Sequence, residues 1–240
     1  MSGEGAHRPN GHTRGPGAGA EARSPERPRR LWIKICGCRA PEDAAAAGAA
    51  GADAFGLVLA PGFRRTLTLD GARRIREAAP AGLQAIGIFL GQPAAEIAAA
   101  AANLALDGVQ VHGDVAEEAV RRLRDRLLVI RAWDLEGPEP GACDFLHLEP
   151  GAAAGGGTGR AWDWARAMAR RPSRPFILSG GLTPETVAAA CAAARPDGVD
   201  VSSGVETGGR KDPEKIARFC AEARRWRDAA GGEGRGGGRP

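Results

Sequence analysis

The chain has 240 residues and a formal net charge of +4, a length that allows one large domain or two small ones. The excess charge sits at the ends: residues 1–30 carry six arginines against Glu4, Glu21 and Glu26, and residues 229–240 carry Arg235 and Arg239 against Glu233. The middle is therefore near neutral, which argues against nucleic-acid binding by the folded part.

Both ends are made of Gly, Pro, Arg and Ser with almost no large apolar residue. Too little surface can be buried there to offset the entropy of ordering, so 1–30 and 229–240 are expected to be disordered tails around one domain over 31–228. No apolar signal core stands near the start, and no run reaches the ~18 apolar residues of a membrane span. A cytoplasmic protein without a membrane partner is expected. Five cysteines at uneven spacing make no disulfide framework, and Cys36-x-Cys38 lacks the second Cys or His pair of a zinc site, so no metal is expected.

The domain opens with a strand over 31–36 ("LWIKIC") and a helix over 41–50. Strand 53–59 and helix 68–79 follow, then strand 83–90 and helix 93–104, and strand 107–112 and helix 114–125. After strand 127–132, the polar segment 133–142 contains two prolines, so the fifth helix is expected to be short or absent. Strand 143–149 ("CDFLHLE") leads through a glycine-rich segment to helix 161–171. Strand 175–179 precedes helix 183–194, and strand 198–202 precedes helix 212–228. Thr183-Pro184 and Asp212-Pro213 each put a capping side chain before a proline at the first helical position. The last helix repeats Ile216, Phe219, Cys220, Ala223 and Trp226, one apolar face.

Eight strands alternating with helices fit an open doubly wound sheet or a closed (β/α)8 barrel. No GxGxxG follows the first strand, and a count of eight favours the α/β barrel as a single domain. Strand alternation sharpens this. Ile33 and Ile35 face one way, Lys34 and Cys36 the other. Val109 and Val111 oppose Gln110 and His112; Leu146 and Leu148 oppose His147 and Glu149; Val199 and Val201 oppose Asp200 and Ser202. Buried without purpose, such polar groups would be costly. In a barrel they converge at the C-terminal mouth, where this architecture keeps its chemistry.

Three glycine-rich turns follow the last three strands: "GGGTG" (155–159), "SGG" (179–181) and "SSG" (202–204). Backbone N–H groups in such turns hold phosphate because no side chain blocks the approach. Arg65, in "APGFRRTL", is a second candidate for holding an anion.

"KICGCRAPEDA", "GADAFGLVLAPGFRR", "GVQVHGD", "GGTGRAWDW", "FILSGGLTPETV" and "GVDVSSGVETGGRKDPEKI" together closely resemble the phosphoribosylanthranilate isomerase family of tryptophan biosynthesis. The resemblance covers nearly all of residues 32–225, with the motifs in order. It implies a cofactor-free Amadori rearrangement of a small phosphosugar substrate, by a monomer or homodimer. A general acid protonates the furanose oxygen, and a general base removes the C2 proton. By position the family's cysteine base falls on Cys36, with Lys34 placed to assist the thiolate. The arginine for the anthranilate carboxylate falls on Arg65. Phosphate falls on Gly180, Gly181, Ser203 and Gly204, with the 156–159 loop closing nearby, and His112 and Asp200 line the pocket.

The family's acid is an aspartate seven residues before the "GG[ST]G" motif, and that position here is Glu149. One extra methylene displaces the carboxyl by about 1–1.5 Å, an offset that can cost roughly 100-fold in rate. Glu149 is expected to serve as the acid after a small shift of its loop; the alternative is a slow or non-catalytic paralogue that binds a phosphosugar. Two smaller departures are Gly91, where the family usually has Asn, and Ala60, where an aromatic is more typical. Another phosphosugar barrel enzyme would call for paired aspartates or a deep catalytic lysine, and Lys34 is the only strand lysine.

Overall fold

The computed structural model describes residues 30–149, 164 and 168–232. The tails over 1–29 and 233–240 and the 155–159 segment lie outside the described residues.

The strands are β1 (Trp32–Ile35), β2 (Ala54–Val58), β3 (Gln84–Leu90), β4 (Gly108–His112), β5 (Leu128–Trp133), β6 (Phe145–Leu148), β7 (Phe176–Leu178) and β8 (Gly198–Val201). They close into a barrel in sequence order. All neighbours run parallel, and the seam between β1 and β8 sets Lys34 opposite Asp200. The helices are α1 (Pro41–Ala49), α2 (Leu69–Ala78), α3 (Ala94–Asn103), α4 (Glu117–Arg124), α5 (Val187–Ala194) and α6 (Pro213–Gly232). The single-domain (β/α)8 reading stands and the open sheet falls. Among the described residues no helix is long and apolar enough to cross a membrane.

The fifth helix, expected to be short or absent, is absent, and the start of another helix moves. No helix joins β5 to β6, where Pro138 and Pro140 remove backbone donors; Trp133 Nε1 instead donates to the Glu136 carbonyl at 2.6 Å. Of the helix expected over 161–171, the described part is the 3-10 turn Met168–Arg170 and Trp164. The helix expected from 183 begins at Val187, because Pro184 to Thr186 form a turn first. Thr183 organises that turn: its carbonyl accepts from Thr186 and Val187, and its hydroxyl accepts from the Glu185 amide at 3.2 Å. Asp212 caps α6 as expected, accepting from the amides of Glu214 and Lys215, and the helix runs past residue 228 to Gly232.

Two apolar layers position the mouth. Ile33, Ile35, Val109, Val111, Leu146, Leu148, Val199 and Val201 join the large cluster between strands and helices. Inside the barrel, Trp32, Ala54, Ile86, Ile130 and Ile177 form a separate buried cluster. Trp32 lies two residues before Lys34, on the same face and nearer the strand's start. The apolar plug therefore fills the N-terminal end and leaves the C-terminal end to polar groups.

A repeated aspartate ties the N-terminal end together. Asp53, Asp107, Asp144 and Asp197 each immediately precede an even-numbered strand. Each accepts a backbone N–H from the preceding odd strand: Ile33 at 2.8 Å, Ala85 at 2.8 Å, Val129 at 2.8 Å and Phe176 at 3.1 Å. Arg224 pairs with Asp53 at 2.7 Å and Arg124 with Asp144 at 2.8 Å. Charge-assisted bonds of this kind are shorter and stronger than neutral ones, so these carboxylates tie neighbouring strands together at the end opposite the mouth.

Candidate active site

Cys36 follows the last residue of β1 yet keeps the strand's pairing, since its amide donates to the Val201 carbonyl at 2.8 Å. The Ser202 hydroxyl donates to the Cys36 carbonyl at 3.0 Å. Gly37 then turns the chain with φ of 73°, and a Cβ there would stand 2.3 Å from Cδ of Arg65. A Cβ on Gly56 would stand 3.0 Å from the Cys36 sulfur. Glycine at both positions makes room for the cysteine and for the arginine beside it.

The expected polar residues converge on one cavity of about 270 Å³ at the C-terminal end of the barrel, bounded by Cys36, Arg65, His112, Glu149 and Asp200 and by the glycine loops after β7 and β8. Asp200 is the hub of its floor. Its Oδ2 lies 2.8 Å from Lys34 Nζ and accepts from His147 Nε2 at 2.8 Å. Gln110 Nε2 donates to His112 Nε2 at 2.8 Å, and the His112 and His147 rings meet edge to face at 6.0 Å. Lys34, Gln110, His112, His147, Glu149 and Asp200 are all buried.

Burial alone would raise the Asp200 carboxyl, but Lys34 and the His147 hydrogen bond outweigh it and hold it down at about 2. Burial likewise works against charge on Lys34, yet Asp200 and Cys36 keep that ammonium above its ordinary value. Burial pushes the Cys36 thiol up, with Lys34 opposing and Asp200 adding to the rise. Thiol is thus the resting form, and Lys34 stands ready to receive a thiolate.

Glu149 remains tied to β5, its amide donating to the Trp133 carbonyl at 3.3 Å. Its Oε2 lies 3.9 Å from His147 Nδ1. Among the described residues, His147 Nδ1, Gln110 Oε1 and Asp200 Oδ1 are buried without a hydrogen-bond partner.

Arg65 reaches the cavity but does not stand alone. Its Nε donates to Glu206 Oε1 at 2.8 Å, Arg64 donates to Glu206 Oε2 at 2.7 Å, and Lys211 Nζ lies 3.4 Å from Oε1. Burial would raise Glu206; the two guanidiniums outweigh it and hold the carboxyl at about 2. Glu206 and Lys211 sit on a short hairpin, β9 (Glu206–Thr207) and β10 (Arg210–Lys211). No local pattern in this stretch marks either residue as part of the site. His147 stands on the polar face that strand alternation gives it.

In the expected phosphate cradle, Gly180 and Gly181 have φ of 84° and 66°, and Ser203–Val205 form a 3-10 turn. A Cβ on Gly204 would lie 1.8 Å from the Leu182 carbonyl oxygen, so the loops after β7 and β8 pack backbone against backbone there. The expected contribution of the 156–159 loop lies outside the described residues. Gly91 has φ of 71°, the left-handed region that Gly and Asn enter most readily, which accounts for the exchange with Asn. Ala60 lines the cavity, where its small side chain leaves room. Among the described residues no group of three or more His, Cys, Asp or Glu is placed to hold a metal ion.

The family model for N-(5'phosphoribosyl)anthranilate (PRA) isomerase matches residues 33–222. The N-(5'-phosphoribosyl)anthranilate isomerase of Desulforudis audaxviator is 43% identical over 203 residues, covering 80% of this chain and 97% of that relative. That of Acidithiobacillus ferrooxidans is 44% identical over 201 residues, with the same coverage. The solved phosphoribosyl anthranilate isomerase of Thermotoga maritima superposes with a TM-score of 0.70 at 35% identity, covering 80% of this chain and 98% of that one. A phosphoribosyl anthranilate isomerase solved with reduced 1-(o-carboxyphenylamino)-1-deoxyribulose 5-phosphate gives a TM-score of 0.67 at 33% identity, with the same coverage.

Proposed function

The chain belongs to the N-(5'-phosphoribosyl)anthranilate isomerase family, and we propose that it carries out the family's rearrangement with Cys36 as general base and Glu149 as general acid. The observation that carries this reading is the meeting of a thiol, a carboxyl and two glycine loops on one cavity. In this reading the phosphate sits against Gly180, Gly181, Ser203 and Gly204, and the anthranilate carboxylate sits at Arg65. In this reading the sugar between the two anchors lies across Cys36 and Glu149, with His112 and Asp200 against it.

Glu149 gives a proton to the furanose oxygen. The C1–O bond breaks with its electron pair going to oxygen, and the nitrogen lone pair forms C=N. The cation so formed acidifies the C2–H and favours thiolate at Cys36, whose proton passes to the Glu149 carboxylate, offsetting the burial that raises the thiol. Cys36 takes the C2 proton, the electrons shift to nitrogen, and the resulting enol amine tautomerises to 1-(2-carboxyphenylamino)-1-deoxyribulose 5-phosphate. Every proton moves between substrate, thiol and carboxyl, so the sequence of steps needs no cofactor. The protein acts as a monomer or homodimer.

The test is the decay of substrate fluorescence with wild type and Cys36→Ala. Wild type is expected to turn over, and Cys36→Ala to lose at least roughly 100-fold in kcat with an unchanged circular dichroism spectrum. Full activity in Cys36→Ala would remove the base assignment.

A further inference from the structure

We propose that Glu206 is a positioning residue: it grips Arg65 by Nε and leaves the two terminal nitrogens of that guanidinium for a carboxylate on the ligand. This rests on Arg65 being the carboxylate anchor of the proposed function. Arg65 lines the cavity, and its Nε donates to Glu206 Oε1 at 2.8 Å. The other glutamate oxygen, Oε2, accepts from Arg64 Nη2 at 2.7 Å. A carboxylate divided between two arginines in this way does not fork onto either, so it takes one donor of Arg65 and not two. Among the described residues, no hydrogen bond or ion pair engages Nη1 or Nη2 of Arg65. Those two nitrogens form an edge that pairs with a carboxylate through two parallel bonds.

The grip is built from both sides. The stem of Arg65 crosses Gly37, where a Cβ would stand 2.3 Å from Cδ and 3.2 Å from Nε, so the side chain lies against the turn that follows Cys36. On the other side, Lys215 Nζ donates to the Glu206 carbonyl at 2.9 Å, Lys211 Nζ to the Ser202 carbonyl at 2.9 Å and Arg64 Nη1 to the Gly209 carbonyl at 3.0 Å. These bonds fix the β9–β10 hairpin against the turn after β8. The Glu206 side chain is 7% exposed, so water competes little for its oxygens.

Charge explains why a carboxylate is needed there. Arg64 and Arg65 share one carboxylate, so at least one positive charge is left over for a ligand anion. Without Glu206, neighbouring guanidiniums would repel and Arg65 would regain rotamer freedom. Binding would then have to order a freed arginine, which costs affinity for the carboxylate and for nothing else on the ligand.

The experiment is calorimetric titration of the full chain with two probes. One is the product 1-(2-carboxyphenylamino)-1-deoxyribulose 5-phosphate, and the other is 1-phenylamino-1-deoxyribulose 5-phosphate, which differs only in lacking the carboxylate. Wild type is expected to bind the first at least about tenfold tighter; no preference overturns the proposal. Glu206→Ala is expected to weaken the first about tenfold and the second by less than about twofold. Equal losses for both probes would show that Glu206 only holds the hairpin, and they overturn the proposal, as does no loss for either. Glu206→Gln keeps the shape of the side chain and is expected to lose about threefold for the first probe alone, so the test stands if the alanine variant fails to fold. In an Arg65→Leu background, Glu206→Gln is expected to add less than about twofold. A further loss as large as in wild type overturns the proposal, because Glu206 would then act other than through Arg65. Glu206-dependent preference for the carboxylate probe, in a wild type that does not turn over N-(5-phosphoribosyl)anthranilate, supports the proposal and strikes the isomerase reading instead.

Discussion

Cys36 differs from the other four cysteines in a way its neighbours set. Burial pushes Cys38, Cys143, Cys191 and Cys220 up to about 12, and all four are buried, while Cys36 is partly exposed to the cavity. Native protein treated with iodoacetamide is therefore expected to take one label, on Cys36. The labelling rate should rise with pH, because burial raises this thiol too and thiolate is the reactive form. Mass spectrometry reads the site; a first label on another cysteine would contradict the geometry. Cys36, His112 and Asp200 were legible as residues of one mouth because strand alternation fixes which side chains share a face. The partnerships were not legible. Glu206 lies 141 residues from the arginine it holds, and nothing local in "GVETGGRK" announces that contact.

The loops after β7 and β8 show what a single glycine does for an element. With Leu182 O at 1.8 Å from the position of a Cβ on Gly204, and backbone rather than a flexible side chain in the way, Gly204→Ala must push the two loops apart. Overpacking of this kind costs about 1–3 kcal/mol. Urea midpoints should fall accordingly, and KM should rise more than kcat falls, since the proposed function puts the phosphate at this turn, away from the reacting carbons. A Gly204→Ala protein with unchanged KM would show that phosphate is held elsewhere. The β strands were readable to within a residue or two at each end because each is a short apolar run bounded by turn residues. Helix starts were less so, because Thr183-Pro184 signs a capped turn as well as it signs a helix. The aspartates before β2, β4, β6 and β8 went unread as a set. Their meaning lies in backbone amides of another strand, which only closure of the barrel brings within reach.

At the scale of the whole molecule, the two ends of the barrel divide stability from chemistry. The N-terminal end is closed by the apolar plug and by carboxylates on backbone amides. The mouth keeps buried charge. Asp200 and Glu206 are both held at about 2, from ordinary values of 3.8 and 4.5. A depressed folded-state pKa contributes stability that is present above the unfolded value and is lost as pH falls through the folded one. Urea midpoints should thus decline between about pH 4.5 and pH 2, and Asp200→Asn should flatten part of that decline. A midpoint that does not change across this window would contradict the charges assigned to the mouth.

The central claim is that Glu149, where the family has aspartate, is a working acid. Its most direct test is the fluorescence decay of N-(5-phosphoribosyl)anthranilate with wild type, Glu149→Asp and Glu149→Ala measured side by side. Wild type is expected to turn over and Glu149→Ala to fall by at least roughly 100-fold, with Glu149→Asp retaining a carboxyl and therefore measurable turnover. A wild type that is silent while Glu149→Asp is active would contradict the claim, leaving a barrel that holds the ligand without performing the rearrangement.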